Sequence, residues 1–132
     1  MIIEFEEILS AEEGKFVEEG FRRHSIEEVG QDGNLSQFAF VSKSHGKLSG
    51  ILTGRLFWGS IHIKHLFVNS KGRRRGIGKK LMESALALGR KKHCRFAVVE
   101  TMNFQALDFY QKFGFQIDFC RGGYDEKCIF TI

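Results

Sequence analysis

The run Arg73-Arg74-Arg75-Gly76-Ile77-Gly78-Lys79-Lys80 joins an apolar stretch, Ile61 to Val68, to an amphipathic one that begins at Ile77. A strand that ends in a basic, glycine-rich turn and passes straight into a helix aims several main-chain N–H groups at one place. There the helix N-terminus adds partial positive charge. Such a place suits a phosphate. Glycine at 76 and 78 removes the Cβ that would hold an anion off the backbone, and the flanking arginines and lysines attract it from a distance. Taken without its neighbours, the octapeptide reads equally well as a solvated basic helix start with a softened turn, because short glycine patterns recur by chance.

The other residues able to do chemistry are scattered. Cys94, Cys120 and Cys128 are odd in number and far apart, with no CxxC pair and no histidine at metal-ligand spacing. They are expected to be reduced thiols in or near the core, and no metal is expected. A nucleophilic Cys128 beside a distant histidine is the alternative. His62 titrates near neutrality and lies on a strand, where alternation puts it on one face with Lys64 and Leu66. His65 points the other way unless a bulge intervenes. Tyr110 falls on an apolar helix stripe with Phe109 and Phe113, so it reads as a core aromatic or as a phenol with a chemical task.

These residues need a scaffold, and 132 residues of which 42% are hydrophobic supply one core. A single domain spanning 1–132 is expected. No apolar run approaches the roughly 20 residues that cross a bilayer, and the N-terminus is acidic where a leader would be basic, which together imply the cytoplasm. Net charge is +4, but Lys71, Arg73, Arg74, Arg75, Lys79 and Lys80 are concentrated in one decade. Such a local cluster fits a compact polyanion and tells against a long nucleic-acid track.

Ile2 to Ile8 alternates apolar and acidic residues, as an edge strand does. Ser10 with Glu13 is a capping box, predicting a helix from Ala11 through Phe16, Val17 and Phe21 to Ile26. Gln31-Asp32-Gly33-Asn34 is a turn. Leu35–Ser42 and Leu48–Trp58 are strand-like and joined by a hairpin at Ser44–Lys47, and Trp58-Gly59-Ser60 turns into a third strand, Ile61–Val68. Ile77, Leu81, Ala85 and Leu88 then form a helical stripe, with Met82 and Leu86 beside it. Phe96–Val99 is a continuous apolar strand, and Asn103 caps a second helix through Ala106, Phe109, Tyr110 and Phe113 that Gly114 stops. Phe115–Phe119 and Lys127–Ile132 close the sheet. The order gives a β-α-β unit within a mixed α/β fold.

With the elements in place, Arg73-x-x-Gly76-x-Gly78 resembles the phosphate loop of the GNAT superfamily of acetyl-coenzyme-A-dependent N-acetyltransferases. Asn103-x-x-Ala106-x-x-Phe109-Tyr110-x-x-Phe113-Gly114-Phe115 resembles that family's second signature. The resemblance covers roughly 35 to 119, and Gly50-Ile51-Leu52 with Phe57-Trp58-Gly59 is similar to small bacterial members. The region before Leu35 is short for the family, which usually carries two helices there to wall the acceptor pocket, and the acceptor is left open.

The resemblance implies a mixed, mostly antiparallel sheet with a central splayed parallel pair, flanked by helices. It implies that the backbones of Leu66, Phe67 and Val68 pair with the pantetheine arm of acetyl-coenzyme A. Arg73, Arg74, Arg75, Gly76, Ile77, Gly78 and Lys79 would wrap its pyrophosphate, mainly through main-chain N–H groups. Asn103 would both cap its helix and bond the pantetheine amide, and Tyr110 would touch the cofactor. A bulge at the end of its strand would release the Val68 N–H as oxyanion donor. Tyr110, with an ordinary pKa of about 10, would protonate a thiolate whose conjugate acid lies near 8.5. His62, eleven residues before Arg73, stands where some members place a catalytic Glu or His, and it is read side by side as the base and as a half-buried strand residue. Glu100 would attract a cationic amine or simply end its strand in solvent.

The expected activity is acetyl transfer to a primary amine by direct attack in a ternary complex. Two rival classes stand beside it: a non-catalytic acyl-coenzyme-A binding or sensing module, and an acetyltransferase acting on RNA-linked amines such as charged transfer RNA. An exposed terminal strand is compatible with a homodimer.

Overall fold

The computed structural model describes residues 1–102, 107–124 and the backbone of 129–131. Two compact units divide the chain, Met1–Leu35 and Ser36–Ile132.

The first unit is built on one helix, α1 (Ala11–Val29). Its start follows the capping box: the Glu13 N–H donates to Ser10 Oγ (3.1 Å) and the Ser10 N–H to Glu13 Oε1 (2.7 Å). The helix runs three residues beyond Ile26 and ends where Gly30 takes a left-handed conformation, φ 75°, and returns its N–H to the Ile26 carbonyl. In the turn that follows, the Asn34 N–H donates to Asp32 Oδ1 (2.9 Å). The strand expected over Ile2–Ile8 does not form. Instead the Glu6 carboxyl meets Glu13, a hydrogen bond that raises the Glu6 pKa above its ordinary value, while the Ser10 backbone and hydroxyl hold Glu13 low. Glu6 of the alternating segment is thus engaged by the helix cap.

In the second unit the element order is β1 (Ser36–Ser44), β2 (Lys47–Phe57), β3 (Ser60–Val68), α2 (Ile77–Lys91), β4 (Phe96–Met102), α3 (Leu107–Lys112), β5 (Phe119–Arg121) and β6 (Ile129–Thr131). The strands lie in the order β1-β2-β3-β4-β6-β5, antiparallel except for β3 beside β4. The fold is therefore the mixed, mostly antiparallel sheet that the resemblance implies. Both hairpins turn on two residues with positive φ, His45-Gly46 and Trp58-Gly59, the geometry that matches strand twist. A tryptophan at φ 51° is strained, and Arg95 braces it: its N–H donates to the Gly59 carbonyl (2.7 Å) and Nη2 to the Trp58 carbonyl (3.4 Å).

The core packs Leu81, Met82 and Ala85 of α2 against Leu52, Leu56, Ile61, Ile63 and Val99 of the sheet, with Tyr110 of α3. The α2 stripe is as the 3.6-residue period predicts. Among the described residues no helix is long and apolar enough to cross a membrane. Cys94 is half-buried, Cys120 is exposed rather than near-core, and Cys128 lies outside the described residues.

Several details differ from the sequence pattern. Residues 115–118 are not strand, because Gly114 at φ 94° lets the Phe115 N–H return to the Tyr110 carbonyl (3.4 Å) and its ring pack edge-on to Tyr110. Phe115 serves the helix end and the core, and pairing begins only at Phe119. The final strand is Ile129–Thr131; 127, 128 and 132 lie outside the described residues, as do Asn103 and Ala106 of the expected helix start.

A further difference is a β-bulge. Thr53 pairs with His65 but Gly54 pairs with Ile63, so Lys64 is an extra residue on β3, four positions before the expected place at Val68. Gly54 permits it: a Cβ there would collide with the His62 carbonyl and lie 2.7 Å from Phe38 Cζ. Gly54→Ala is accordingly expected to lower stability by about 1–3 kcal/mol. By contrast Gly20→Ala, at an open position inside α1, should raise it by roughly 0.5–1 kcal/mol. Urea unfolding followed by circular dichroism measures both, and equal effects would show that the bulge is not tightly packed.

Candidate active site

Parallel pairing between β3 and β4 lasts four residues, from Ser60 opposite Phe96 to Ile63 opposite Val99. Beyond that point β3 stays with β2 as far as Val68, while β4 pairs with β6 from Glu100 to Met102. The two strands part, and a cavity of about 830 Å³ opens between them. Its walls are β3 from Ile63 to Val68, Val99 to Thr101 of β4, the loop and first turn of α2, and Phe109 and Tyr110 of α3.

The hydrogen-bond phase of β3 decides which main-chain groups face this wedge. The Asn69 N–H donates to the Ser49 carbonyl (2.9 Å), so Ser49 and Asn69 form a bonded pair. In an antiparallel ladder bonded and non-bonded pairs alternate. Val68 opposite Gly50 and Leu66 opposite Leu52 are non-bonded pairs, and their N–H and C=O groups turn away from β2 toward the gap. The Val68 carbonyl receives Arg73 Nε (3.2 Å).

The loop after β3 reverses the chain through two left-handed residues, Arg74 (φ 63°) and Gly76 (φ 74°). Gly76 is the N-cap of α2 and no side chain caps that end. The first-turn N–H groups of Ile77, Gly78 and Lys79 therefore border the cavity at the positive end of a 15-residue helix. Gly76 and Gly78 do different jobs. At Gly76 there is space for a Cβ but the backbone conformation disfavours one; at Gly78 a Cβ would sit in ordinary contact with Phe109 (3.6 Å) and Val68 (3.8 Å), so a larger side chain would fill the cavity. Arg73, Arg74, Gly76, Ile77, Gly78 and Lys79 all line it; Arg75 does not.

Tyr110 is 7% exposed, edge-on to Phe109 and Phe115, and lines the cavity. Burial raises its phenol pKa above 10. His62 is half-buried with its ring 4.6 Å from that of Phe57, and it is absent from the cavity walls. Burial first, and then Arg55, lower its pKa from 6.5, against an opposing pull from Glu100. Arg55 is itself held over the Phe57 ring at 4.4 Å.

The Lys64 bulge rearranges the faces of β3. Leu66 pairs with core residue Leu52, while His65, opposite Thr53, joins His62 on the face away from α2. The simple alternation that grouped His62 with Leu66 fails for this reason. Sequence reasoning also missed His65 as a cavity residue; its Nδ1 lies 2.9 Å from Thr53 Oγ1, in hydrogen-bond contact. Thr101, Phe109 and Gly72 were missed as well. Glu100, considered for amine attraction, is exposed and lines the wall. Asn103 lies outside the described residues.

The Acetyltransferase (GNAT) family model matches residues 3–115. The blasticidin-S acetyltransferase of Streptomyces morookaense is 37% identical over 79 residues, 59% of this chain, and the match spans only 58% of that protein. A putative acetyltransferase from Agrobacterium tumefaciens superposes with a TM-score of 0.81 at 24% identity, covering 99% of this chain and 96% of that one. A GNAT family acetyltransferase from Elizabethkingia anophelis, solved with acetyl-CoA bound, superposes at 0.60 with 23% identity over 74% of this chain and 76% of that one. With a family match over most of its length and the sheet, wedge and glycine loop in place, this chain belongs to the acetyltransferase (GNAT) family of acyl-transferring enzymes.

Proposed function

We propose that the protein transfers the acetyl group of acetyl-coenzyme A to an amine nitrogen, by direct attack while both substrates are bound. The observation that carries this reading is the gap between β3 and β4, faced by the main-chain groups of Leu66 and Val68 and ending at the uncapped start of α2. An exposed strand edge suits an amide-bearing arm, and uncapped N–H groups among Arg73, Arg74 and Lys79 suit a diphosphate. The thioester supplies an activated acyl carbon. In the reaction a C–N bond forms, the C–S bond breaks, the amine loses a proton and the departing thiolate gains one.

The Val68 N–H would polarise the thioester carbonyl and stabilise the oxyanion. Tyr110 would give the thiolate its proton; because burial holds the phenol neutral, that proton is present throughout the working range. His62 would accept the amine proton through water, since it does not line the cavity and its lowered pKa leaves the imidazole neutral at pH 7. Glu100 at the wall favours a cationic amine approaching the site. The name of the Streptomyces relative makes blasticidin S the first acceptor to assay, followed by polyamines and peptide amines. The family model runs across both compact units, which supports treating 1–132 as one catalytic domain.

Thiol release from acetyl-coenzyme A tests the reading directly. Tyr110→Phe should cut kcat by about 10²-fold or more while leaving donor binding near wild type; unchanged turnover would favour a non-catalytic binding module. Gly78→Leu should raise the KM for acetyl-coenzyme A at least about tenfold, whereas Arg75→Ala, off the cavity, should change it by about twofold or less. The reverse order would contradict the loop assignment. If His62 accepts the proton, the acidic limb of the kcat/KM profile lies below pH 6.5. Because Arg55 destabilises the imidazolium, Arg55→Gln should move that limb to higher pH; a limb that stays in place excludes His62 as the titrating base.

A further inference from the structure

We propose that Asn69 is the positioning residue of the loop between β3 and α2, holding its N–H groups in register with the wedge without touching the ligand. The inference rests on the acetyl-coenzyme A reading of the cavity. Asn69 is not part of the cavity lining, yet every atom it offers is used to shape the loop that is. Its N–H donates to the Ser49 carbonyl (2.9 Å) and its Nδ2 to the Leu48 carbonyl (3.4 Å), tying the end of β3 to the start of β2. In the other direction, Asn69 Oδ1 accepts from the Gly72 N–H (2.8 Å), and the Asn69 carbonyl accepts from Gly72 (3.0 Å) and Arg73 (3.1 Å).

Two consequences follow for an anion. The N–H groups of Gly72 and Arg73 are turned inward, so the donors left to a diphosphate are those past the reversal, at the start of α2. Gly72 is also pressed into a fixed slot: a Cβ on it would lie 3.0 Å from Asn69 Oδ1, 3.0 Å from Ile77 Cδ1 and 3.1 Å from Val68 Cγ1. The side chain of Asn69 thus sets the spacing between the end of β3 and Ile77, the first residue of the helix. Asparagine is suited to this because adjacent atoms of one short side chain supply an acceptor and a donor. Arg73 Nε on the Val68 carbonyl adds a second strut to the same fold.

A donor without a nucleotide separates this role from general damage. For Asn69→Ala, the KM for acetyl-coenzyme A should rise about tenfold with kcat near wild type. With S-acetylpantetheine, which carries no diphosphate, kcat/KM should match the wild-type value. Asn69→Ser, whose hydroxyl can still accept from the Gly72 N–H, should recover part of the loss and remains informative if the alanine variant folds poorly. An unaltered KM for acetyl-coenzyme A, or an equal loss with both donors, overturns the proposal. Calorimetry of the wild type distinguishes the two levels. No binding of acetyl-coenzyme A there removes the reading of the cavity itself, whereas wild-type binding that Asn69→Ala leaves unchanged removes the role of Asn69 alone.

Discussion

The site depends on the early end of parallel pairing between β3 and β4. After Ile63 and Val99 each strand keeps a different neighbour, so main-chain groups that a continuous sheet would satisfy face a gap. Leaving a buried polar group without a partner costs about 1–3 kcal/mol, and the structure meets part of that demand internally by laying Arg73 on the Val68 carbonyl. The rest of the edge is open to the cavity. In the proposed reading a ligand with amide groups completes it, and the missing rungs of the ladder serve as its binding surface.

Helix α2 can border the gap only because it is fixed to strands that do not part. Gly50 of β2 lets Ile77 and Leu81 approach closely, with an added Cβ meeting Ile77 Cγ2 at 2.9 Å, and Gly89 does the same for Ile61 near the other end of the helix. The first turn of α2 is therefore held over the wedge by packing on β2 and β3, independent of the divergence beside it. The bulge at Lys64 adjusts the same strand from within. One extra residue, accommodated where Gly54 has no side chain, keeps Leu66 in the core and brings His65 to the face that carries His62 and Thr53.

What was legible in the sequence is what short segments determine for themselves. The capping box at Ser10, the hairpins at His45-Gly46 and Trp58-Gly59, the stripe of α2 and the glycine loop all follow from residues within a few positions of one another. Long-range choices were not legible. Ile2–Ile8 has a strand's alternation but its Glu6 goes to the helix cap, and Phe115 has a strand former's side chain but is consumed by the end of α3. The Lys64 bulge depends on how β2 meets β3, so no local pattern on β3 announces it, although Gly54 inside an otherwise apolar strand is the kind of signal that marks one. His65 and Asn69 carry no motif and acquire significance only through that geometry.

The pKa directions of the two proposed proton carriers have one physical origin. Burial disfavours a charged side chain of either sign, so it lowers a histidine and raises a tyrosine. Here it lowers His62, reinforced by Arg55, and raises Tyr110. Both groups are then neutral over the same broad range around pH 7, one able to accept a proton and the other able to donate one. For Tyr110 burial alone separates acid from base, whereas at His62 the Arg55 charge adds to it. The aromatic cluster of α3 encloses Tyr110, and the Phe57 ring covers part of His62. Greater hydration around either group would relax its value toward the ordinary position and narrow the pH range in which the pair is complementary.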